Sequence, residues 1–241
     1  MTQESVRERT AWRSVMDKRR FDAGGKSATL YMADSENRPL IVLNNYAGDG
    51  EAVMAVVSRF EHVDFNLLNV DGLDWNHDMT PWECPPAVKG DTPFTGGADT
   101  YLALLTDEII PKAQEMVKGI PVFVGIAGYS LAGLFSLYAV HQCDVFDCVA
   151  SMSGSLWFPD FKEYIFSHSM TRRPDKMYFS LGDTEAKTRN EVLKTVRDNT
   201  EEIVRYYKEA GLNVVYELNP GNHFKDAEIR SAKGIIALLR Q

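Results

Sequence analysis

The sequence lacks the features that mark several classes of protein. Its three cysteines, Cys84, Cys143 and Cys148, are odd in number and have neither a disulfide framework nor a metal-like spacing. No run approaches the roughly 20 apolar residues of a membrane span, and the charged start MTQESVRERTAWRSVMDKRR lacks the apolar segment of a secretory signal. We therefore expect reduced thiols, a cytoplasmic location and no membrane partner.

An excess of positive charge is also missing. The net charge is −8 and the isoelectric point about 5.2, whereas nucleic-acid binding needs a basic face, so we expect no nucleic-acid partner. Asp74, His77 and Asp78 offer too few donors for a closed metal site. The glycines are not spaced for a dinucleotide, and we expect no cofactor and no metal.

The remaining composition is that of a globular protein. Apolar residues make up 44% of the 241 residues and charged residues 25%. This length fits one domain, and we expect residues 1–241 to form a single α/β domain.

Strand-like apolar runs alternate with helical patterns along most of the chain. Near-continuous apolar runs are typical of strands covered on both faces, and such alternation predicts a mostly parallel central sheet with helices on both faces. The predicted strands are 28–32, 40–44, 63–70, 121–127, 146–152, 176–181 and 214–218, and the predicted helices are 51–60, 98–117, 131–142, 190–210 and 226–239. We expect Pro111 to kink or split the second of these helices.

Two segments interrupt this alternation. The charged, amphipathic pattern of residues 1–22 predicts a helix that Gly24 and Gly25 end, so that residues 1–25 form a charged helical N-terminal segment. Residues 72–97 contain two tryptophans and four prolines and have no clean period. A long stretch of this kind is typical of a functional loop, and we interpret it as a lid-like insertion over the site.

The motif VGIAGYSLAG, residues 124–133, places Ser130 between a predicted strand and a predicted helix. A nucleophilic serine on such a sharp turn needs small residues two positions away, and Gly128 and Ala132 meet that need. The helix N-terminus leaves the N–H of Leu131 free to hold an oxyanion. The motif departs from G-x-S-x-G at Ala132, and the alternative interpretation is a serine that only caps the helix.

A nucleophilic serine needs a histidine base, which in this architecture follows it in the chain. His223 lies in a predicted loop at the carboxyl end of strand 214–218, where such a base belongs. His168 is predicted near a helix end on the surface, and His141 lies late in the helix after Ser130. His77 falls in the lid-like segment, where it could contact substrate.

The acid that orients the base should follow strand 176–181, in the sequence LGDTEAK. Glu185, the third residue after Gly182, is preferred, and Asp183 is the alternative. Both carboxylates could instead only favour the N-terminus of the next helix.

The second oxyanion donor is expected in the loop NNYAGDG after strand 40–44. The N–H of Tyr46 is preferred to that of Asn45, although the loop could be an ordinary glycine turn. Trp75, Trp82 and Trp157 are candidate substrate-binding residues, because two lie in the lid-like segment and the third follows the strand next to the serine. The alternative is that the tryptophans anchor the lid by burial.

With these residues in place, the chain resembles the α/β-hydrolase superfamily. Within it, the chain is similar to the esterase group that includes enterobactin-esterase-like siderophore hydrolases and esterase D relatives. The resemblance lies in GYSLAGLFSLYAV at 128–140, SMSGSLWF at 151–158, LGDTEAKTRN at 181–190, PGNHF at 220–224 and DWNHDMTPW at 74–82. It implies a three-layer fold in which Ser130 is the nucleophile, His223 the base and Glu185 the acid.

The resemblance implies a serine esterase that cleaves a small-molecule carboxylic ester through an acyl-enzyme. A siderophore lactone and other aryl or acyl esters are candidate substrates. A polyanionic iron–siderophore fits poorly with the negative charge, although Lys187 and Arg189 could supply a local positive patch. The alternatives are an acyltransferase on the same fold, a catalytically silent binding protein and a peptidase. A homodimer is expected only because dimers are common.

Overall fold

The computed structural model describes residues 17–48 and 50–240. Eight strands form one sheet in the order β1-β2-β4-β3-β7-β8-β9-β10, and β5 and β6 form a separate two-stranded sheet. The strands are β1 (Lys18–Ala23), β2 (Lys26–Tyr31), β3 (Leu40–Asn44), β4 (Asn66–Asp71), β5 (Glu83–Cys84), β6 (Phe94–Thr95), β7 (Val124–Tyr129), β8 (Cys148–Met152), β9 (Lys176–Gly182) and β10 (Val214–Asn219).

The helices follow the strands in the alternation that the sequence predicts. They are α1 (Glu51–Phe60), α2 (Trp75–Asp78), α3 (Ala98–Leu104), α4 (Ile110–Gln114), α5 (Leu131–Gln142), α6 (Phe161–Ser167), α7 (Val196–Glu209) and α8 (Ala227–Leu239). A π-helical turn, Leu105–Ile109, joins α3 to α4, and a short 3₁₀ helix, Leu193–Thr195, leads into α7.

Most of the large sheet is parallel. All neighbours from β4 to β10 pair in parallel, while β1 and β2 continue the sheet as antiparallel strands at one edge. Because the loops after the parallel strands share one edge of the sheet, the residues following β3, β7, β9 and β10 come together there. The predicted α/β class with a mostly parallel central sheet is confirmed.

Hydrophobic cores lie on both faces of this sheet. One face packs against α1 and α8, through residues such as Val57 and Ile235. The other packs against α3, α4, α5 and α7, through residues such as Phe135 and Ile203. The helix α5 is apolar on all sides and nearly every residue in it is buried, which fits a helix enclosed between the sheet and the other helices of that face. The sheet is thus the middle of three layers.

The N-terminal prediction is wrong where the structure describes it. Residues 18–23 form the edge strand β1 rather than the end of a helix, and residues 1–16 lie outside the described residues. Gly24 and Gly25 have φ angles of 54° and 78° and make the turn of a hairpin with β2. A two-residue turn of this kind needs positive φ at both positions, so the glycine pair favours a hairpin over a helix end.

The predicted split at Pro111 is confirmed. The π-helical turn lies directly before α4, whose first turn contains this proline. Proline has no N–H to donate to the preceding turn, so the regular hydrogen-bond ladder cannot run through it. Residues 72–97 contain α2, β5 and β6 and are more ordered than their sequence suggested. Within the described part of the chain, no helix is long and apolar enough to cross a membrane.

Candidate active site

Ser130 lies on the sharp turn between β7 and α5. Its φ and ψ are 61° and −125°, a combination that non-glycine residues seldom adopt and that stores backbone strain. The turn is tied to the sheet because the Ser130 N–H donates to the Met152 carbonyl at 3.0 Å. The hydroxyl makes no capping bond to α5, so this serine does not act as a helix cap.

Small residues permit the close approach of strand and helix at this turn. A methyl group on Gly128 would lie 2.2 Å from the carbonyl oxygen of Ala132, and one on Gly133 would lie 2.9 Å from the Cα of Gly154. Ala132 is therefore tolerated in the motif because the facing residue, Gly128, has no Cβ. The position that must be glycine on the helix side is Gly133, which packs against the loop after β8.

His223, in the loop between β10 and α8, connects the serine to a carboxylate. Its Nε2 lies 3.0 Å from the Ser130 Oγ, and its Nδ1 lies 2.8 Å from Oε2 of Glu185. The other histidines that were weighed lie elsewhere. His141 is buried against the Tyr207 hydroxyl, and His168 is exposed at the end of α6.

Glu185 is a buried carboxylate with a full set of hydrogen bonds. Its side chain is 4% exposed, and its Oε1 accepts bonds from the Ser153 hydroxyl at 2.7 Å and the Gly182 N–H at 2.6 Å. Burial raises the pKa of Glu185. The hydrogen bond from His223, the positive charge of the His223 ring and the bonds from Ser153 and Gly182 have a larger, opposite effect, so the pKa of Glu185 is lowered overall. Asp183, the alternative acid, instead accepts a bond from the Gly221 N–H.

Arg230, on α8, belongs to this hydrogen-bond network and was missed by the sequence reasoning. Its side chain is 1% exposed, and its Nη1 donates to Oε1 of Glu185 at 2.9 Å and to Oγ of Ser153 at 3.0 Å. Its Nη2 donates to the carbonyls of Pro220 and Asn222 at 3.2 and 3.0 Å. The Arg230 guanidinium thus joins the loop after β9, which carries Glu185, to the loop after β10, which carries His223.

Tyr129, the residue before the serine, reinforces this arrangement. Its hydroxyl donates to the backbone carbonyl of His223 at 2.7 Å and accepts a bond from Arg230 Nη1 at 3.2 Å. Burial raises the pKa of Tyr129, which keeps the hydroxyl protonated and able to donate. The Tyr129 ring also lies 5.5 Å from the His223 imidazole, so Tyr129 contacts both the backbone and the ring of His223.

The candidate oxyanion donors differ in their availability. The Asn45 N–H donates to the Val70 carbonyl at 3.0 Å and continues the sheet pattern, so it is already used. Within the described residues, the N–H groups of Tyr46 and Leu131 have no acceptor. The preferred pair of donors is thus the pair left free, which is what a developing oxyanion requires.

Asn69, buried in β4, holds the loop that carries Tyr46. Its amide nitrogen donates to the Gly48 carbonyl at 3.0 Å, and its Oδ1 accepts a bond from the Asn45 side chain at 3.3 Å. Gly50 packs so closely on it that a Cβ there would lie 2.9 Å from the Asn69 Oδ1. An asparagine in the middle of a buried strand, between Leu68 and Val70, was the signal that could have revealed this role.

Two pockets meet at Ser130. The larger has a volume of about 540 Å³ and also contains Tyr46 and His223, and the smaller has a volume of about 240 Å³ and contains Leu131. Trp75 lines both pockets. A molecule bound at Ser130 could therefore extend to both sides of the serine.

The other aromatic candidates divide between pocket wall and core. Trp157 lines the smaller pocket. Trp82 reaches neither pocket and packs against Phe158, Phe161 and Tyr164, while its Nε1 donates to a backbone carbonyl. For Trp82 the structure therefore shows the lid-anchoring arrangement rather than a wall of the site.

The polar residues of the lid-like segment hold it in place. The Nδ1 of His77 lies 2.8 Å from the Thr95 hydroxyl, and Asp78 pairs with Lys26 of β2. His77 lines neither pocket. Over the described residues, no group of three or more histidine, cysteine or acidic side chains is arranged to hold a metal ion.

Comparison with known proteins relates the chain to a wider group. The family model described as "Putative esterase" matches residues 54–227. A Bacillus subtilis (strain 168) protein, "Uncharacterized protein YbbA", is 26% identical over 205 residues, which are 78% of this chain and 80% of that protein.

Two solved structures share the fold. The siderophore hydrolase EstA from Aspergillus nidulans has a TM-score of 0.72 at 18% identity, covering 94% of this chain and 95% of its own. An IroE-like serine hydrolase from Shewanella oneidensis has a TM-score of 0.76 at 16% identity, covering 92% of this chain and 79% of its own.

Proposed function

Because the chain belongs to the "Putative esterase" family and is an esterase, we propose that it hydrolyses carboxylic esters with Ser130 as nucleophile, His223 as base and Glu185 as acid. The observation that supports this proposal most directly is the unbroken hydrogen-bond chain through the three side chains, with separations of 3.0 and 2.8 Å. Nucleophile, base and orienting acid each need a contact of this length with the next.

The proposed reaction has two steps. His223 Nε2 accepts the hydroxyl proton as Ser130 Oγ attacks the ester carbonyl carbon. The N–H groups of Leu131 and Tyr46 stabilise the negative oxygen of the tetrahedral intermediate. His223 then gives its proton to the leaving alcohol, and an acyl-serine remains.

Water completes the reaction by the same route in reverse. His223 accepts a proton from the water, the resulting hydroxide attacks the acyl-serine, and the carboxylic acid leaves as Ser130 regains its proton. Glu185 stays ionised throughout and stabilises the protonated imidazole, consistent with its lowered pKa. The proposed substrates are aryl or acyl esters, and siderophore lactones are included among them because one structural neighbour is named a siderophore hydrolase.

The test is intact-mass analysis after exposure to a fluorophosphonate probe. We expect one adduct on the unchanged protein and none on Ser130→Ala. Ser155→Ala is the matched control, since its hydroxyl lies 3.4 Å from the Ser130 Oγ but has no contact with His223. This variant should still be labelled.

The outcomes separate the alternatives. If the probe labels Ser130→Ala, or if it fails to label the folded wild-type protein, Ser130 is not the nucleophile. If the unchanged protein hydrolyses an aryl ester and Ser130→Ala does not, the esterase mechanism is supported. Faster product formation with an added alcohol than with water would indicate acyl transfer instead.

A further inference from the structure

The two pockets are not equivalent, because His223 lines only the larger one. The base must come within hydrogen-bond distance of the leaving oxygen to protonate it. The alcohol part of an ester bound at Ser130 therefore lies on the side of His223, and the acyl part lies on the side of Leu131 and Trp157. This assignment rests on the proposed function.

The larger pocket has exposed aromatic rings at its entrance. Phe224 is 87% exposed and Tyr46 is 70% exposed, although both lie beside the candidate catalytic histidine and oxyanion loop. The Phe224 ring contacts His223 edge-on at 5.3 Å, and the Tyr46 ring contacts Trp75 edge-on at 5.2 Å. Large exposed apolar groups around a reactive centre are typical of a ligand-binding surface.

The charges in both pockets have one sign. Glu51 and Glu228 line the larger pocket and Asp91 lines the smaller, whereas among residues 17–48 and 50–240 no lysine or arginine lines either. Glu51 pairs with Lys18 at 3.5 Å, so the negative charge considered for this pocket is that of Glu228, which across the described chain has no ion-pair partner within 4 Å.

The basic side chains that lie nearest in the chain, Lys225 among them, line neither pocket. Lys225 follows Phe224, but its stem packs over Gly221, so that a Cβ there would meet it at 2.4 Å. Lys187 and Arg189, which could have supplied a positive patch, line neither pocket. Carboxylates combined with aromatic faces attract cations and repel anions.

We propose that the larger pocket binds the alcohol part of the ester and selects against negative charge there, while the smaller pocket binds a compact, uncharged acyl part. The substrate class is therefore an ester of an uncharged or cationic alcohol. An ester whose alcohol part carries a negative charge is a poor substrate, and this includes an anionic iron-loaded chelate.

The test uses three butyrate esters whose alcohols have nearly the same shape and differ in charge: choline, neohexyl alcohol and isethionate. We expect kcat/KM for the choline ester to exceed that for the isethionate ester at least about tenfold at low ionic strength, and the ratio to fall as salt is added. In Glu228→Gln the ratio should fall by about threefold. Glu209→Gln, which removes the same charge on an exposed turn of α7, should leave the ratio unchanged.

Orientation is tested separately with two variants. Phe224→Ala should raise KM mainly in a series of esters with growing alcohols, and Trp157→Ala should change the preference mainly in a series with growing acyl chains. The reverse pattern would overturn the assignment of the pockets.

The inference and the proposed function fail in different ways. If fluorophosphonate does not label Ser130, the proposed function itself fails. If Ser130 is labelled but the isethionate ester is hydrolysed as fast as the choline ester, or none of the three is hydrolysed, the substrate assignment is overturned while the nucleophile stands.

Discussion

Arg230 offers the sharpest test of how the candidate triad is held together. It lines neither pocket, yet its guanidinium bonds to the acid, to Ser153 and to the two carbonyls that precede His223. We predict that Arg230 is a positioning residue, so that its replacement lowers kcat and leaves KM nearly unchanged. The two variants to compare are Arg230→Met, which removes the charge, and Arg230→Lys, which keeps it.

The structure sets the size of the expected effects. In Arg230→Met the Glu185 carboxylate loses its partner in a buried ion pair, which typically costs about 3–5 kcal/mol of stability. The carbonyls of Pro220 and Asn222 lose a donor as well. A shift of the histidine loop by about 1 Å is enough to lower kcat about 100-fold. Arg230→Lys can still bond to the acid, and we expect it to recover about tenfold of that loss.

The assay is steady-state hydrolysis of an aryl ester at a temperature well below each variant's unfolding transition. Ile203→Ala is the matched control, because this fully buried residue of α7 lies away from the site and its truncation costs about 2–5 kcal/mol. If Arg230→Met is destabilised as much as Ile203→Ala but keeps the wild-type kcat, the positioning role is refuted. A rise in KM with unchanged kcat would also contradict it.

Two further predictions concern the same edge of the sheet. The folded-state pKa of Glu185 lies below its ordinary value of 4.5, so its ionisation stabilises the fold above that pH and the contribution is lost as the pH falls through the folded-state pKa. The difference in unfolding free energy between wild type and Glu185→Gln, measured in denaturant, should therefore shrink below about pH 4.5. A difference that stays constant with pH would show that the pKa of Glu185 is not lowered by folding. Asn69→Leu should release the oxyanion loop and lower kcat by about tenfold or more, since one lost oxyanion donor costs about 100-fold. Asn66→Leu, which loses its hydrogen bonds to Arg38 and Pro39 at the other end of the same strand, should lower stability without this loss of kcat, and equal kcat in the two variants would refute the role of Asn69.

The parallel core could be predicted because each of its segments repeats one local pattern. The limits of β3, α1 and α5 follow from continuous apolar or amphipathic runs between turn residues, and the structure has them where the sequence predicts. The edge strand β1 could not be predicted in the same way. Its residues are largely exposed and charged, and only pairing with β2 across the glycine turn makes them a strand.

The candidate triad could be predicted because its members follow strand ends in a fixed chain order. The residues that support it could not, since their roles depend on contacts between distant segments. Arg230 lies 45 positions from Glu185, and nothing in its helical pattern distinguishes it from the other arginines of the chain. The tryptophans of the lid-like segment could not be separated for the same reason: Trp75 lines both pockets, whereas Trp82 packs against Phe158 and Phe161.

The strained positions and the buried ionic network lie on the same edge, and this has a physical reason. Ser130 and Ser153, which end neighbouring strands, both have positive φ, 61° and 45°, at a cost of about 1–3 kcal/mol each. Ser153 is held there by its bonds to Glu185 and Arg230. A buried ion pair is weak evidence for net stability, because apolar residues of the same size stabilise a fold equally well. Apolar contacts, unlike hydrogen bonds, do not fix the orientation of the groups that make them. The Arg230–Glu185 pair holds Glu185, the loop that carries His223 and the strained turn at Ser153 in one relative orientation. The proposed role of Ser130 as nucleophile requires such a fixed orientation of base and acid.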